Sequence, residues 1–340
     1  MDVNALTWVV TIVVIAAFFV FDFYSHVRTP HEPTLRESAL WSLFYVALAC
    51  LFGGFLWMTW GEPGNPHQHG VEFFTGYVTE KALSVDNLFI FALIMASFRI
   101  PRKYQQKVLL IGIALALVFR GIFIALGAAV IDAWSDVFYL FGIFLLWTAA
   151  KLVWDELWDA PDTDPDDMAV IRFVRRVIPV SNTLEGDHLM LHRAGRFTLT
   201  PLFIALVAIG MTDLMFALDS IPAIYGITSE PYIVFTTNAF ALLGLRQMFF
   251  LLDGLLDRLV YLSYGLGVIL AFIGVKLVLH ALHENKLPFL NGGEPVTAVP
   301  EVPTVLSLVV IVGVLVVTTL LSLWKVRNDA ARDRPARVVE

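Results

Sequence analysis

The sequence is poor in charge and almost without thiol. Only 16% of its 340 residues are Asp, Glu, Lys or Arg, against roughly 25% in soluble globular chains, so water is not its main solvent. The single cysteine, Cys50, excludes a disulfide framework or a thiolate metal site within one chain. No Lys or Arg precedes the first apolar run, whereas Asp2 does; the charged start of a cleavable signal is missing, and that run is expected to stay as a helix. No His-rich box, nucleophile elbow or phosphate loop occurs, so no enzyme is expected. The net charge of -7 comes largely from one loop and points to no nucleic-acid partner.

What the sequence has is apolar length. Hydrophobic residues make up 58% of it, and a membrane-crossing helix needs about 20 in a row. Nine runs qualify: Leu6 to Tyr24, Ala39 to Trp60, Val71 to Phe98, Val108 to Ile131, Val137 to Val153, Leu199 to Ile224, Ile233 to Leu252, Leu259 to Leu282 and Val305 to Trp324. The expected fold is an all-α, polytopic transmembrane helical bundle of about nine spans, with the lipid bilayer as its surroundings.

Basic residues mark cytoplasmic connections, and here they alternate. They follow run one (Arg28, Arg36) and run three (Arg99, Arg102, Lys103, Lys107), lie between runs five and six (Arg172, Arg175, Arg176, Arg193, Arg196) and near the end of run seven (Arg246, Arg258), and fill the tail from Lys325 to Arg337. The remaining connections hold one basic residue, Lys286. The pattern predicts an outside N-terminus and a cytoplasmic C-terminus.

Runs three and six resemble each other. TEKALSVDN (Thr79 to Asn87) aligns without gaps to TDLMFALDS (Thr212 to Ser220), Leu117-Val118-Phe119-Arg120 resembles Leu243-Gly244-Leu245-Arg246, and Lys151-Leu152-Val153 equals Lys276-Leu277-Val278. Because runs three and six enter from opposite sides, the units form an inverted repeat, a construction that places transporter substrates near the midplane. The organisation expected is two N-terminal helices (1–60), a first three-helix repeat (70–155), a cytoplasmic acidic and basic loop (156–198), a second, inverted repeat (199–282), a final helix (303–325) and a basic tail (326–340).

Within this repeat sit costly acids. Glu80 and Asp86 lie inside run three and Asp213 and Asp219 inside run six, and four such residues oppose insertion by about 10 kcal/mol unless they meet a cavity, a counter-charge or an ion. The two acids of each nonapeptide are six apart, about 120° out of line on a helix, so one helix cannot aim both at one ion. Two helices can, with Glu80, Ser84 and Asn87 on one stripe of run three, Asp86 and Thr79 on another, and run six presenting Asp213 with Ser220 and Asp219 with Thr212. Pro222 leaves the Leu218 carbonyl without a donor and is expected to open the helix beside Asp219. Such oxygen shells suit hard divalent cations such as Mn2+, Mg2+ or Ca2+. Arg120 is expected to partner one acid when no cation is bound, with Arg246 and Lys276 in similar roles. The bland reading of the same residues is structural ion pairing between helices.

Other signals are weaker. Residues Asp155 to Asp167 lack the glycine and glutamate of a calcium loop and read as a solvated acidic loop. Glu62, His67, His69 and Glu72 read better as a turn than as a metal site. Asp22 and Lys151 are expected to reach toward the interface, and the role of Lys81 is unreadable.

The segments EFFTGYVTEKALSVDNLFIFALI (Glu72 to Ile94) and ALVAIGMTDLMFALDSIPAI (Ala205 to Ile224) resemble those of the TerC/Alx family of integral membrane proteins, over about Phe19 to Leu282. The resemblance implies a bacterial plasma-membrane location and links to manganese export, metal delivery to secreted enzymes, alkaline pH response and, historically, tellurite resistance. It implies Glu80, Asp86, Asn87, Asp213 and Asp219 as metal-pathway residues; the residues read from spacing and charge as supporting them are Thr79, Ser84, Thr212, Ser220, Arg120, Arg246 and Lys276. The function expected is export of Mn2+, or else Ca2+ or Mg2+, as cargo without a resident cofactor. The alternative is a membrane scaffold or accessory protein with structurally paired acids.

Overall fold

A computed structural model of the chain describes residues 3–27, 33–61, 64–134, 136–158, 171, 186–193, 196–252, 259–283, 285, 287, 290–291, 294–296 and 298–332. The helices are α1 (Ala5–Asp22), α2 (Leu35–Thr59), α3 (Gln68–Ser97), α4 (Arg102–Ala133), α5 (Val137–Leu157), α6 (Pro201–Tyr225), α7 (Pro231–Leu242), α8 (Leu245–Leu252), α9 (Leu262–His283) and α10 (Thr304–Arg332). A π-helical segment, Phe23–Val27, follows α1. Side-chain acceptors open the first two helices: Asn4 accepts from the Thr7 amide and Thr34 from the Glu37 amide, satisfying first-turn donors that have no intrahelical acceptor.

Among the described residues, eight helices are long and apolar enough to cross a membrane, with α7 and α8 counted as one span. The helix of run three, α3, is 30 residues long but is not among them, because Glu72, Glu80, Lys81 and Asp86 are spread along it. Its position explains how it keeps Glu72, Glu80 and Lys81: α2, α6, α7 and α10 pack around it, so these groups face protein instead of lipid. Burial grades outward from there. The α7–α8 span is 89% buried over its apolar window, whereas α1 and α10 are each 11% buried, as expected of helices facing lipid.

The most extensive pairing is α5 with α9, and it is reciprocal. A Cβ on Gly142 would lie 2.7 Å from Val278 Cγ2, and one on Gly267 would lie 2.7 Å from Val153 Cγ2. Gly142 and Gly274 also face each other, each so close to the other's carbonyl oxygen that an added Cβ would sit within 3.0 Å of it. Small residues let two helices approach to backbone contact. In the same way α4 packs on α6 and α3 on α7, while α3 crosses α6 and α4 crosses α7.

Two elements differ from the sequence expectation. Run seven is broken after Leu242, where Gly244 takes φ +79°. The loop before α6 contains an antiparallel hairpin, β1 (Met190–Arg193) with β2 (Arg196–Leu199). Lys107 ties that loop to α4: its Nζ donates to Asp187 Oδ2 at 2.8 Å, and this bond holds the Asp187 carboxyl below its ordinary range. The acidic loop lies almost wholly outside the described residues, of which Asp155 and Glu156 end α5.

Candidate functional site: a clamped arginine beside a polar cavity

The centre of the molecule is built around Arg120, which is fully buried on α4. Its Nε donates to Asp213 Oδ2 at 3.2 Å and its Nη2 to Asp213 Oδ1 at 3.1 Å, a two-point clasp from α6. Its Nη1 donates to Glu80 Oε1 on α3, to Ser220 Oγ at 3.1 Å and to Asn238 Oδ1 on α7 at 2.8 Å. Four helices thus meet at one guanidinium, whose rigid fork suits paired carboxylate recognition. One positive charge faces two carboxyl groups in a site that excludes water. Glu80 Oε2 and Ser84 Oγ, one turn apart on α3, are buried and make no hydrogen bond among the described residues. Such orphaned oxygens are costly in a dry interior.

Ser220 also borders the neighbouring space. A cavity of about 90 Å³ is lined by Asn87, Thr148, Asp219 and Ser220 on its polar side and by Leu83, Phe216 and Leu270 among its apolar neighbours. Thr148 Oγ1 on α5 donates to Asp219 Oδ1 at 3.1 Å. Each end of the TDLMFALDS segment therefore serves a different place, Asp213 the arginine and Asp219 the cavity.

A larger cavity, about 810 Å³, lies where α3 begins, where α6 passes to α7, and where α9 ends. Glu72 is buried in its wall: Gln68 Nε2 donates to Oε1 at 2.9 Å, Thr228 Oγ1 donates to Oε2 at 2.9 Å, and His69 Nδ1 lies 3.0 Å from Oε2. Lys276, Glu230 and Glu301 line the same space.

The profile of the integral membrane protein TerC family matches residues 65–330. The chain belongs to the TerC family. An uncharacterized membrane protein of Mycobacterium tuberculosis is 49% identical over 331 residues, covering 97% of this chain and 82% of its own. One from Myxococcus xanthus is 38% identical, covering 97% and 95%. The Escherichia coli protein named Alx, described as a membrane-bound redox modulator, is 35% identical over 310 residues, covering 90% of each chain. No solved structure matches the chain.

In this TerC family chain the acids expected to form one set divide. Glu80 and Asp213 meet, but on Arg120, which holds both instead of one. Asp219 sits apart with Asn87, while the side chain of Asp86 lies outside the described residues. On α6 the division follows from the six-residue spacing, which turns Asp219 away from Asp213. Thr79 and Thr212 each donate to the carbonyl four residues back, Thr75 and Ala208. Among the described residues no three His, Cys, Asp or Glu side chains gather in a metal-binding group.

Three further expectations are corrected. Arg246 and Lys276 are not at the acid site: Arg246 pairs with Asp22 at 2.9 Å, and Lys276 Nζ donates to Ser307 Oγ at 3.2 Å. Asp22 does not reach toward the interface but is buried, accepting from Tyr45, Arg246 and Gln247. Pro222 does not open its helix, since α6 runs through it to Tyr225. The segment read as a turn begins α3 at Gln68, with Glu62 outside the described residues. Sequence reasoning missed Asn238 and Thr148, whose only signal is a polar residue inside an apolar run, and Lys81, whose Nζ donates to the Leu243 carbonyl at the break, 3.4 Å away.

Proposed function

We propose that the chain is a transporter that exports a divalent cation, with Mn2+ first among hard ions, from a bacterial plasma membrane. The observation that carries this reading is the Arg120 clamp, two carboxylates on two helices around one buried cation of the protein's own, next to a cavity bearing Asp219. Carboxylates are not kept in a membrane interior without a use. Asp219, Asn87, Thr148 and Ser220 offer an all-oxygen shell in a space that admits an ion keeping part of its hydration, which suits Mn2+, Ca2+ or Mg2+ over softer metals.

Ser220 links the two places. A cation drawn into the cavity competes with the guanidinium for the Ser220 hydroxyl and repels it, freeing Glu80 and Asp213; Arg120 returning to its acids expels the ion. The reciprocal contacts of Gly142 with Val278 and of Gly267 with Val153, whose partners align in the repeat, support two units related by a two-fold axis, and hence the inverted repeat. The 810 Å³ cavity, at the end whose connections hold a single basic residue, serves as the outer exit.

The test is flux in proteoliposomes carrying the whole chain, with Mn2+, Ca2+ and Mg2+ compared. Asp219→Asn is expected to lower Mn2+ flux at least tenfold while the protein still folds. Equal flux in wild type and variant would remove the mechanism. A second reading is favoured by the completeness of the Arg120 clamp, namely a scaffold whose acids only join helices. Exchanging the pair, Arg120→Asp with Asp213→Arg, separates them: restored folding with no flux supports transport, and full function after the swap supports the scaffold. The redox description of the Escherichia coli relative finds only Cys50 here, exposed on α2.

A further inference from the structure

The second unit's arginine stands in a different network from its counterpart. Arg246 Nη2 donates to Asp22 Oδ1 at 2.9 Å and its Nη1 donates to Gln106 Oε1 on α4. Gln247 Nε2 donates to the same Asp22 oxygen at 3.0 Å, as does the Tyr45 hydroxyl of α2 at 3.2 Å. The network joins α1, α2, α4 and α8. It leaves three buried atoms without hydrogen bonds among the described residues: Arg246 Nε, Gln247 Oε1 and Ser38 Oγ.

All three residues line one cavity of about 10 Å³, which Glu37 also borders. That is about the room one water needs, and a buried water commonly makes about three hydrogen bonds. The chemistry of the occupant is set by its neighbours. Arg246 Nε is a donor only, so the occupant must accept. Asp22 takes the amide nitrogen of Gln247, which turns the amide oxygen to the cavity, so the occupant must also donate. An anion accepts only and would face the Glu37 carboxylate; a metal cation donates no hydrogen bond and would face the guanidinium.

We propose that this cavity is a built site for one water molecule, which accepts from Arg246 and donates to Gln247 and Ser38, and so fastens α2 to α8 beside the Asp22 pair. The first two helices are then more than a lipid-facing addition: α1 supplies the charge, and α2 one wall of the water site, that hold the second unit's arginine in place. This assignment does not depend on transport.

The test is a crystal or cryo-electron-microscopy map of the whole chain that resolves ordered water, with thermal unfolding of two variants. Ser42 is the control, because its Oγ is likewise buried and unbonded, one turn further along α2, yet Ser42 does not line the cavity. A single peak within hydrogen-bond distance of all three atoms is expected, and Ser38→Ala should unfold several degrees below Ser42→Ala. An empty cavity in a map that shows other buried waters overturns the proposal. So does an anomalous signal there in crystals grown with bromide, or a Ser38→Ala midpoint equal to or above that of Ser42→Ala, since removing a truly orphaned hydroxyl relieves its desolvation.

Discussion

Arg120 shows how much a single residue decides when it is buried among charges. Removing one partner of a buried ion pair strands the other and costs about 3–5 kcal/mol, more than a pair at a wet surface is worth. Asp213→Ala should therefore lower stability by about that amount, because it removes both oxygens of the two-point clasp. Glu80→Gln should cost less, since the amide oxygen can still accept from Nη1 and the second position already lacks a partner. Urea unfolding of the two variants in detergent checks the order, and a Glu80→Gln loss equal to that of Asp213→Ala would contradict the geometry. The sequence pointed to these residues because charge inside an apolar run is conspicuous. It could not assign their partners: Asp213 and Asp219 carry the same chemistry, and only the packing of α4 and α5 sends one to Arg120 and the other to Thr148. Asp22 was misread for a related reason, as an acid at a helix end looks interfacial until another helix covers it.

Helices were legible as elements because each apolar run is long and punctuated, and most observed bounds fall within a few residues of the runs, although α4 begins six residues before its run and α10 continues eight beyond its own. The break in run seven was not legible. Leu-Gly within an apolar stretch is compatible with an unbroken helix at a cost of about 1 kcal/mol, and the first-unit counterpart Val118 lies in an unbroken α4. The break is fixed by its surroundings. Gly244 has φ +79°, a Cβ there would lie 2.9 Å from Tyr45 Cβ, and Lys81 takes up the Leu243 carbonyl. Left-handed backbone costs a residue with a Cβ about 1–2 kcal/mol, and the Tyr45 contact adds to it. Gly244→Ala should thus destabilise by about 2 kcal/mol or more, whereas Gly54→Ala, where an added Cβ meets nothing within 4 Å, should be neutral or stabilising. Thermal unfolding of both variants checks the contrast. The hairpin before α6 was passed over because its strands are only four residues each, at the lower limit of the alternation that marks a strand.

At the scale of the whole molecule the family and the membrane-embedded bundle follow from composition and motif, while orientation rests on the distribution of Lys and Arg. Charge bias works because short basic connections resist translocation, and here the connections between α2 and α3 and between α6 and α7 hold no Lys or Arg at all. The same side carries the acids of the 810 Å³ cavity, Glu72, Glu230 and Glu301, so topology and exit path stand or fall together. The chain offers a clean way to test both, since its one cysteine can be replaced. In a Cys50→Ser background, Ser229→Cys at the cavity rim should react with a membrane-impermeant maleimide in intact spheroplasts. Arg327→Cys near the end of α10 should react only after lysis. Because Ser229 borders the proposed exit and Arg327 lies at the opposite pole, labelling of Arg327→Cys before lysis with protection of Ser229→Cys would invert the topology and turn the proposed exporter into an importer built on the same clamp.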